Sequence, residues 1–384
     1  MTNTTATPYW RLSGFYLFYF ASIGVLVPYW PLYLESLDFS PREIGELMAV
    51  IMATKIIAPN IWGWIADHTG QRMMIVRSGS LLACVFFAGV FWSESYWWIA
   101  LTMAAFSFFW NATLPQFEAT TFNYLHEETQ RYSSIRLWGS VGFVVAALLI
   151  GYLLETSTAS IVPIALLVMF ALIWLNSLIV PERSAGHLPL DEDSILTVIK
   201  RPEVLALIVV VFLMQASHGP YYTFYSIYLE DNGYSKTIIG GLWALGVLAE
   251  IAVFLVMHRL IPKFGLRNML LFSLLVASLR WLLLGSYVES FFMIIAIQLG
   301  HAATFGVFHA VAIQYFHQYF RGRHQGRGQA LYSSMSFGAG GALGALVAGY
   351  TWSLGAILTF AIAAAMSMLA VLITLLFVRN QPSQ

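Results

Sequence analysis

Charge is what this 384-residue chain lacks: Asp, Glu, Lys and Arg make up only 10% of it, against 59% hydrophobic residues. A soluble domain covers its surface with roughly 25% charged residues, so a mean hydropathy of +0.73 points to lipid as the solvent. Cysteine is nearly absent as well, and one residue, Cys84, excludes a disulfide framework and a thiolate metal site. The formal net charge is zero, which argues against a nucleic-acid partner. There is no Gly-rich phosphate loop, no His-Glu-x-x-His pair, no Cys/His cluster and no nucleophile–base pair. No metal site is expected, and the chain is not expected to be an enzyme. The first apolar run has no basic stretch before it and no evident small-residue cleavage site, so the run from Trp10 is expected to stay as a span. A receptor would need a sizeable extramembrane domain, and the longest loop has about 23 residues.

What is present is apolar sequence in pieces of about 20 residues, the length that crosses a bilayer. Polar, Gly and Pro breaks divide it into twelve spans, near 10–34, 42–65, 73–93, 97–122, 133–154, 159–180, 204–229, 237–260, 268–286, 290–316, 328–351 and 355–378. The connections are short except 181–203, which holds eight of the 38 charged residues and separates 1–180 from 204–384. With the N-terminus inside, fourteen Lys and Arg residues, Arg323 and Arg379 among them, fall in cytoplasmic segments; only Arg42 and Lys236 fall outside. The excess of cations on one side predicts that both termini are cytoplasmic.

The halves also repeat. "YLESLDFSPREIG" from Tyr33 aligns without gaps to "YLEDNGYSKTIIG" from Tyr228, and the same offset of 195 carries Gly70 to Gly265, Arg72 to Arg267 and Lys55 to Glu250. A parallel six-span repeat joined by a charged cytoplasmic linker is the layout of major facilitator transporters. The expected fold is therefore an all-α membrane protein of twelve transmembrane helices in two pseudo-symmetric bundles.

"GWIADHTGQR" resembles the major facilitator signature between helices 2 and 3, with Gly63, Asp67, Gly70 and Arg72 in the matching places. Gly63 is expected to admit a neighbouring helix closely. Asp67 is expected to face a helix N-terminus and pair with Arg72, holding a cytoplasmic gate shut. In the second half, "HRLIPKFGLR" keeps Gly265 and Arg267 but has Pro262 in place of the Asp. "SSIRLWGSVGF", "QASHGPYYTFYSIYLEDNGYS", "GGLWALGVLAE" and "IQLGHAATFGVFHA" together resemble the 3-phenylpropionic acid permease subfamily, which is related to the lactose–proton symporters. The resemblance implies a proton-driven transporter of a bacterial-type inner membrane. It implies no other cofactor, a monomer, and the lipid bilayer, protons and a small molecule as partners.

Several charges sit within spans, where ionisable residues mark pathways or pair with one another. Lys55 is twelve residues from Asp67, about 18 Å along a helix. Arg280 is thirteen beyond Arg267; Glu118 is nine before Glu127 and Arg136 eight after Glu128, so the last two could pair across a hairpin. Glu250, the repeat partner of Lys55, is a candidate to pair with it, and His218 and His301 are also deep. His309 is expected to be a satisfied interior histidine. Resemblance to the lactose symporters implies that Glu118 and Arg136 grip substrate and that Arg280 and His301 lie near the proton site. The helix-10 glutamate of that site falls at Thr304, which cannot carry a proton, leaving Glu118, Glu250 and His301 as candidates.

Three cations, Lys55, Arg136 and Arg280, against Glu118 and Glu250 leave one positive charge, which a bound monoanion would neutralise. Aromatic residues at 16% include Tyr29, Trp30, Trp110, Trp138, Tyr221, Tyr222, Trp243 and Phe305 near these helices, most of them expected to be lipid-facing or interfacial. Gly219 and Pro220 are expected to loosen the seventh span. The favoured function is proton symport of a small organic acid, an aromatic carboxylate such as 3-phenylpropionate, by alternating access. Proton symport of a neutral sugar or nucleoside, and efflux by proton antiport, are the alternatives. The substrate-binding candidates are Lys55, Glu118, Arg136, His218, Arg280 and His301.

Overall fold

A computed structural model describes residues 7–125, 128–183, 195–321 and 325–378, less the side chains of Thr129 and Gln325. Glu127, Arg323, Arg379 and residues 184–194 of the charged linker lie outside the described residues. Among the described residues there is helix and no strand. The long helices are α1 (Tyr9–Glu35), α2 (Pro41–Thr69), α3 (Arg72–Phe91), α4 (Tyr96–Leu125), α5 (Tyr132–Leu153), α6 (Ile161–Leu178), α7 (Pro202–Asp231), α8 (Lys236–Phe264), α9 (Leu266–Ser286), α10 (Phe291–Tyr319), α11 (Gly326–Trp352) and α12 (Ala356–Phe377). Each boundary falls within four residues of the expected span.

Eleven of these helices are long and apolar enough to cross a membrane. The other, α4, runs for 30 residues. Its Asn111, Thr113, Gln116, Thr120 and Thr121 dilute its hydropathy, yet all five are buried against protein. Lipid does not meet its polar side.

The 195-residue offset runs through the local structure. Ser40 caps α2 by accepting from Glu43 N, and Ser235 caps α8 by accepting from Ile238 N. Gly70 and Gly265 end the same two helices at φ +69° and +76°, a left-handed region that costs glycine nothing. Helix pairs repeat too: α1 packs on α5 and α6, α2 on α4, and α3 on α4 and α6, while α7 packs on α11 and α12, α8 on α10, and α9 on α10 and α12.

The halves meet along α2–α11 and α5–α8. Gly45 and Gly349 lie back to back there, a Cβ on Gly45 falling 2.6 Å from the Gly349 Cα, so any side chain would push the halves apart. Nearby, Tyr350 donates to Glu46 Oε1 at 2.7 Å. On the α5–α8 side, Thr237 N donates to Glu155 Oε1 at 2.8 Å; this charge-assisted bond at the start of α8 holds the Glu155 carboxyl below the usual carboxylate range. These contacts close the face opposite the linker. Deeper between the ends of the helices, Lys55, Glu118, Arg136 and His309 are all partly exposed.

As expected, α7 is broken: regular helix ends at Ser217 and resumes at Gly219, with Pro220 in the first turn of the new segment, where its missing N–H costs least. Gly219 lies against the α11 backbone, a Cβ there falling 2.1 Å from the Gly344 carbonyl carbon. Two further irregularities have no counterpart in the sequence reading. They are π-helical turns at Ala302–Val307 in α10 and Ser334–Gly340 in α11, a kind of insertion that recurs at functional sites.

Candidate functional site

Helices α4 and α5 present the first cluster. Arg136 lies one helical turn beyond Tyr132 on α5, and both face Glu118 of α4. Tyr132 donates to Glu118 Oε1 at 3.1 Å, while Arg136 Nε stands 4.0 Å from the same oxygen. The guanidinium is over the Phe20 ring at 3.7 Å and near Tyr16, with about a third of its side chain exposed. It is charged, preorganised by a ring, and has N–H groups to spare.

Lys55 on α2 is partly exposed and, among the described residues, makes no hydrogen bond or ion pair. Its neighbour Thr54 is engaged instead, with Ser107 at 2.9 Å and with Asn111, which donates at 2.9 Å. The Lys55–Glu250 pair that the repeat suggested does not form. Glu250 is taken by another partner.

That partner belongs to the second cluster, on α8, α9 and α10, which is buried and fully connected. Arg280 is 2% exposed and donates to Ile297 O at 2.9 Å, His301 Nδ1 at 3.1 Å, Thr304 Oγ1 at 3.0 Å and Gln298 Oε1 at 3.4 Å. The rings of Tyr221 and Trp281 flank its guanidinium at 4.5 and 4.6 Å. Gln298 donates onward to Tyr221 at 2.6 Å. His301 Nε2 meets Glu250 Oε1 at 2.7 Å. Because Arg280 can only donate, Nδ1 must accept, and the ring proton is on Nε2, donating to Glu250. A neutral imidazole thus connects a buried cation to a buried carboxylate.

His218 stands behind this cluster. Its Nδ1 is 2.8 Å from Met214 O, its ring meets Trp281 edge-on at 4.8 Å, and its buried Nε2 has no partner among the described residues. Thr304, the position without a carboxylate, is an acceptor for Arg280.

In the signature loop, Arg72 donates to Asp67 Oδ1 and to Gln116 Oε1, each at 2.6 Å. Both partners belong to the first half, and Asp67 is about half exposed. At the start of α3, Glu182 accepts from Met73 N at 2.9 Å. Gly63 makes no close helix contact, since a Cβ there would meet nothing nearer than Gln116 Nε2 at 3.8 Å. Gly70 is the C-cap of α2. Arg267, the second-half counterpart of Arg72, holds the end of α12 by donating to Leu375 O and Val378 O.

Most of the aromatic residues expected at lipid are in the protein interior: Tyr29, Trp30, Trp110, Tyr221 and Trp243 are all buried. Tyr29 donates to Ala147 O at 2.5 Å and Trp243 to Ser226 at 2.9 Å, bonds that lipid could not offer. Trp138 packs on Trp10 and donates to Tyr9, away from the central charges. Sequence reasoning missed Tyr132, Gln298, Phe20 and Tyr332. Two of these had a signal: Gln298, His301 and Thr304 recur every three residues along one helix face, and Tyr132 is four before Arg136.

Comparison with known proteins places this geometry. The sequence model of the MFS_1 like family matches residues 9–362. The chain is 27% identical over 351 residues to a probable 3-phenylpropionic acid transporter of Escherichia coli (strain K12), spanning 89% of this chain and 90% of that protein. It is 26% identical over 357 residues to a maltose permease of Geobacillus stearothermophilus, spanning 90% and 89%. The crystal structure of a mutant of the nucleoside transporter NupG superposes with a TM-score of 0.87 at 14% identity, covering 97% of this chain and all of that one, and so shares the fold.

Proposed function

Since the chain belongs to the MFS_1 like family and is an integral membrane protein of the major facilitator fold, we propose that this secondary transporter takes up a small aromatic carboxylate, such as 3-phenylpropionate, together with a proton. The membrane is the bacterial inner membrane, both termini are cytoplasmic, and residues 1–180 and 204–384 rock about the site as a monomer. The observation that carries this reading is the contrast in pairing: Arg136 and Lys55 are partly exposed with donors unfilled among the described residues, while the nearest carboxylate to Arg136 is 4.0 Å away. Unfilled cations in a low-dielectric space are a site for an anion. Similarity to a probable 3-phenylpropionic acid transporter supports the aryl group.

Glu250 is the proton carrier in this reading. When ionised, it balances Arg280 through His301. Protonation removes that negative charge and leaves the cation set in excess, so an arriving carboxylate binds more tightly. Linkage is reciprocal: the anion in turn favours the protonated Glu250. The two enter as an electrically neutral pair, which is symport. Asp67 and Arg72 act at the cytoplasmic gate.

The test is uptake of labelled 3-phenylpropionate, benzoate, maltose and uridine into proteoliposomes with an imposed inward proton gradient. Gradient-dependent accumulation of the acids alone is the expected result. Accumulation of maltose or uridine and no acid would replace this reading with a neutral-solute symporter.

A further inference from the structure

His309 was expected to be an interior histidine with its needs met, and only one of its nitrogens fits that description. Nδ1 is 2.7 Å from the Tyr332 hydroxyl. Tyr332 is 2% exposed, and the Ser336 hydroxyl, which is close enough to act on it, is outside hydrogen-bond geometry with any described group. A phenol that accepted from His309 would leave its own O–H without a well-placed acceptor in the interior. The hydroxyl therefore donates to Nδ1, and the imidazole proton is on Nε2. Nε2 has no partner among the described residues and is not sealed, for the ring is partly exposed.

The surroundings fix where that N–H lies. Phe305 stacks on the His309 ring at 5.7 Å and 9°, and Phe337 packs at 5.9 Å, so the imidazole cannot rotate freely and is walled by apolar rings. Arg136, on the opposite half, is within electrostatic reach of His309, and both side chains are partly exposed. A fixed, apolar-shielded donor thus stands opposite an underused guanidinium.

We propose that His309 Nε2–H donates to the substrate carboxylate that Arg136 holds, so that one anion bridges the two halves. The inference rests on the organic-acid reading above. A carboxylate has two oxygens and about four acceptor positions; Arg136 fills some from the first half and His309 one from the second. Such a ligand draws the halves together, because its bonds are complete only when they close.

The test is equilibrium binding of 3-phenylpropionate to the purified full-length protein in detergent, with thermal unfolding measured alongside. Glutamine places an amide nitrogen near the Nε2 position; asparagine places one near Nδ1. His309→Gln should bind within about threefold of wild type, and His309→Asn should bind about tenfold or more weakly, the loss of one charge-assisted hydrogen bond. Tyr332→Phe frees the tautomer and should give an intermediate loss; it carries the same test if the Asn variant does not fold. Wild-type affinity in His309→Asn, or an equal loss in the Gln and Asn variants, overturns the proposal. Wild-type protein that binds no carboxylate overturns the organic-acid reading first, and this inference with it.

Discussion

Arg136 in the first half and Arg280 in the second are both buried-helix arginines beside a carboxylate, yet their surroundings differ. Arg136 is about a third exposed and 4.0 Å from Glu118. Arg280 is 2% exposed, donates to four acceptors, and reaches Glu250 only through His301. The first arrangement leaves donors free for a ligand. The second fills four of its five N–H groups inside the protein, and makes the charge state of one carboxylate decide whether the cluster is balanced. In the proposed function the first half receives the anion and the second registers the proton.

Removing the same charge from each half sharpens that contrast. Arg280→Met leaves the acceptors on His301, Thr304 and Gln298 buried without their donor and Glu250 without a balancing cation, and breaking such a network costs about 3–5 kcal/mol. Thermal unfolding in detergent should show a large drop in midpoint. Arg136→Met breaks a partly exposed pair worth about 0–1 kcal/mol, so its unfolding midpoint should stay near wild type while 3-phenylpropionate binding is lost. Equal destabilisation by the two changes would break the comparison.

A smaller effect is expected from Lys55→Met. With no partner to abandon, the variant should fold normally and raise the apparent Km for acids by one to two decades, matching ~1.5–3 kcal/mol for a charged hydrogen bond. Normal acid transport by a well-expressed variant would remove Lys55 from the site. The smallest effect belongs to Asp67→Asn, which cuts the 2.6 Å pair with Arg72 but leaves the Gln116 contact. A shift of several-fold in cysteine accessibility of the inner face is expected, in line with about 1 kcal/mol for an exposed pair. Unchanged accessibility would make Asp67 a turn residue.

The scaffold was legible because it repeats. Hydropathy placed the spans, and Ser40 with Ser235 and Gly70 with Gly265 carried the helix ends at one offset. The chemistry does not repeat. At the positions equivalent to Arg136 and Arg280 the other half has Leu331 and Val85, and at that of His301 it has Phe106. Among the charges within the spans, only Lys55 and Glu250 match a charge with a charge, and that match misled: repeat symmetry relates positions in two halves without bringing their side chains together. Glu250 meets His301 because α8 packs on α10 within its own half. The neutral His301 tautomer, the π-turns and the His309–Tyr332 bond depend on contacts between helices, which no spacing along the chain encodes. The aromatic residues misled for a related reason, since the buried hydroxyl and indole donors of Tyr29 and Trp243 found carbonyl and hydroxyl partners inside the protein rather than the interface.

The division of labour between the halves is tested most directly by Glu250→Gln in proteoliposomes, comparing uphill uptake of 3-phenylpropionate under a proton gradient with its exchange at equal concentrations. Glutamine keeps an acceptor for His301 and cannot take up the proton. The account predicts that exchange persists within about threefold of wild type while gradient-driven accumulation falls about tenfold or more, one charge state being worth roughly 1.4 kcal/mol per pH unit. Undiminished accumulation by the Gln variant would contradict it and move the proton to Glu118 or His301.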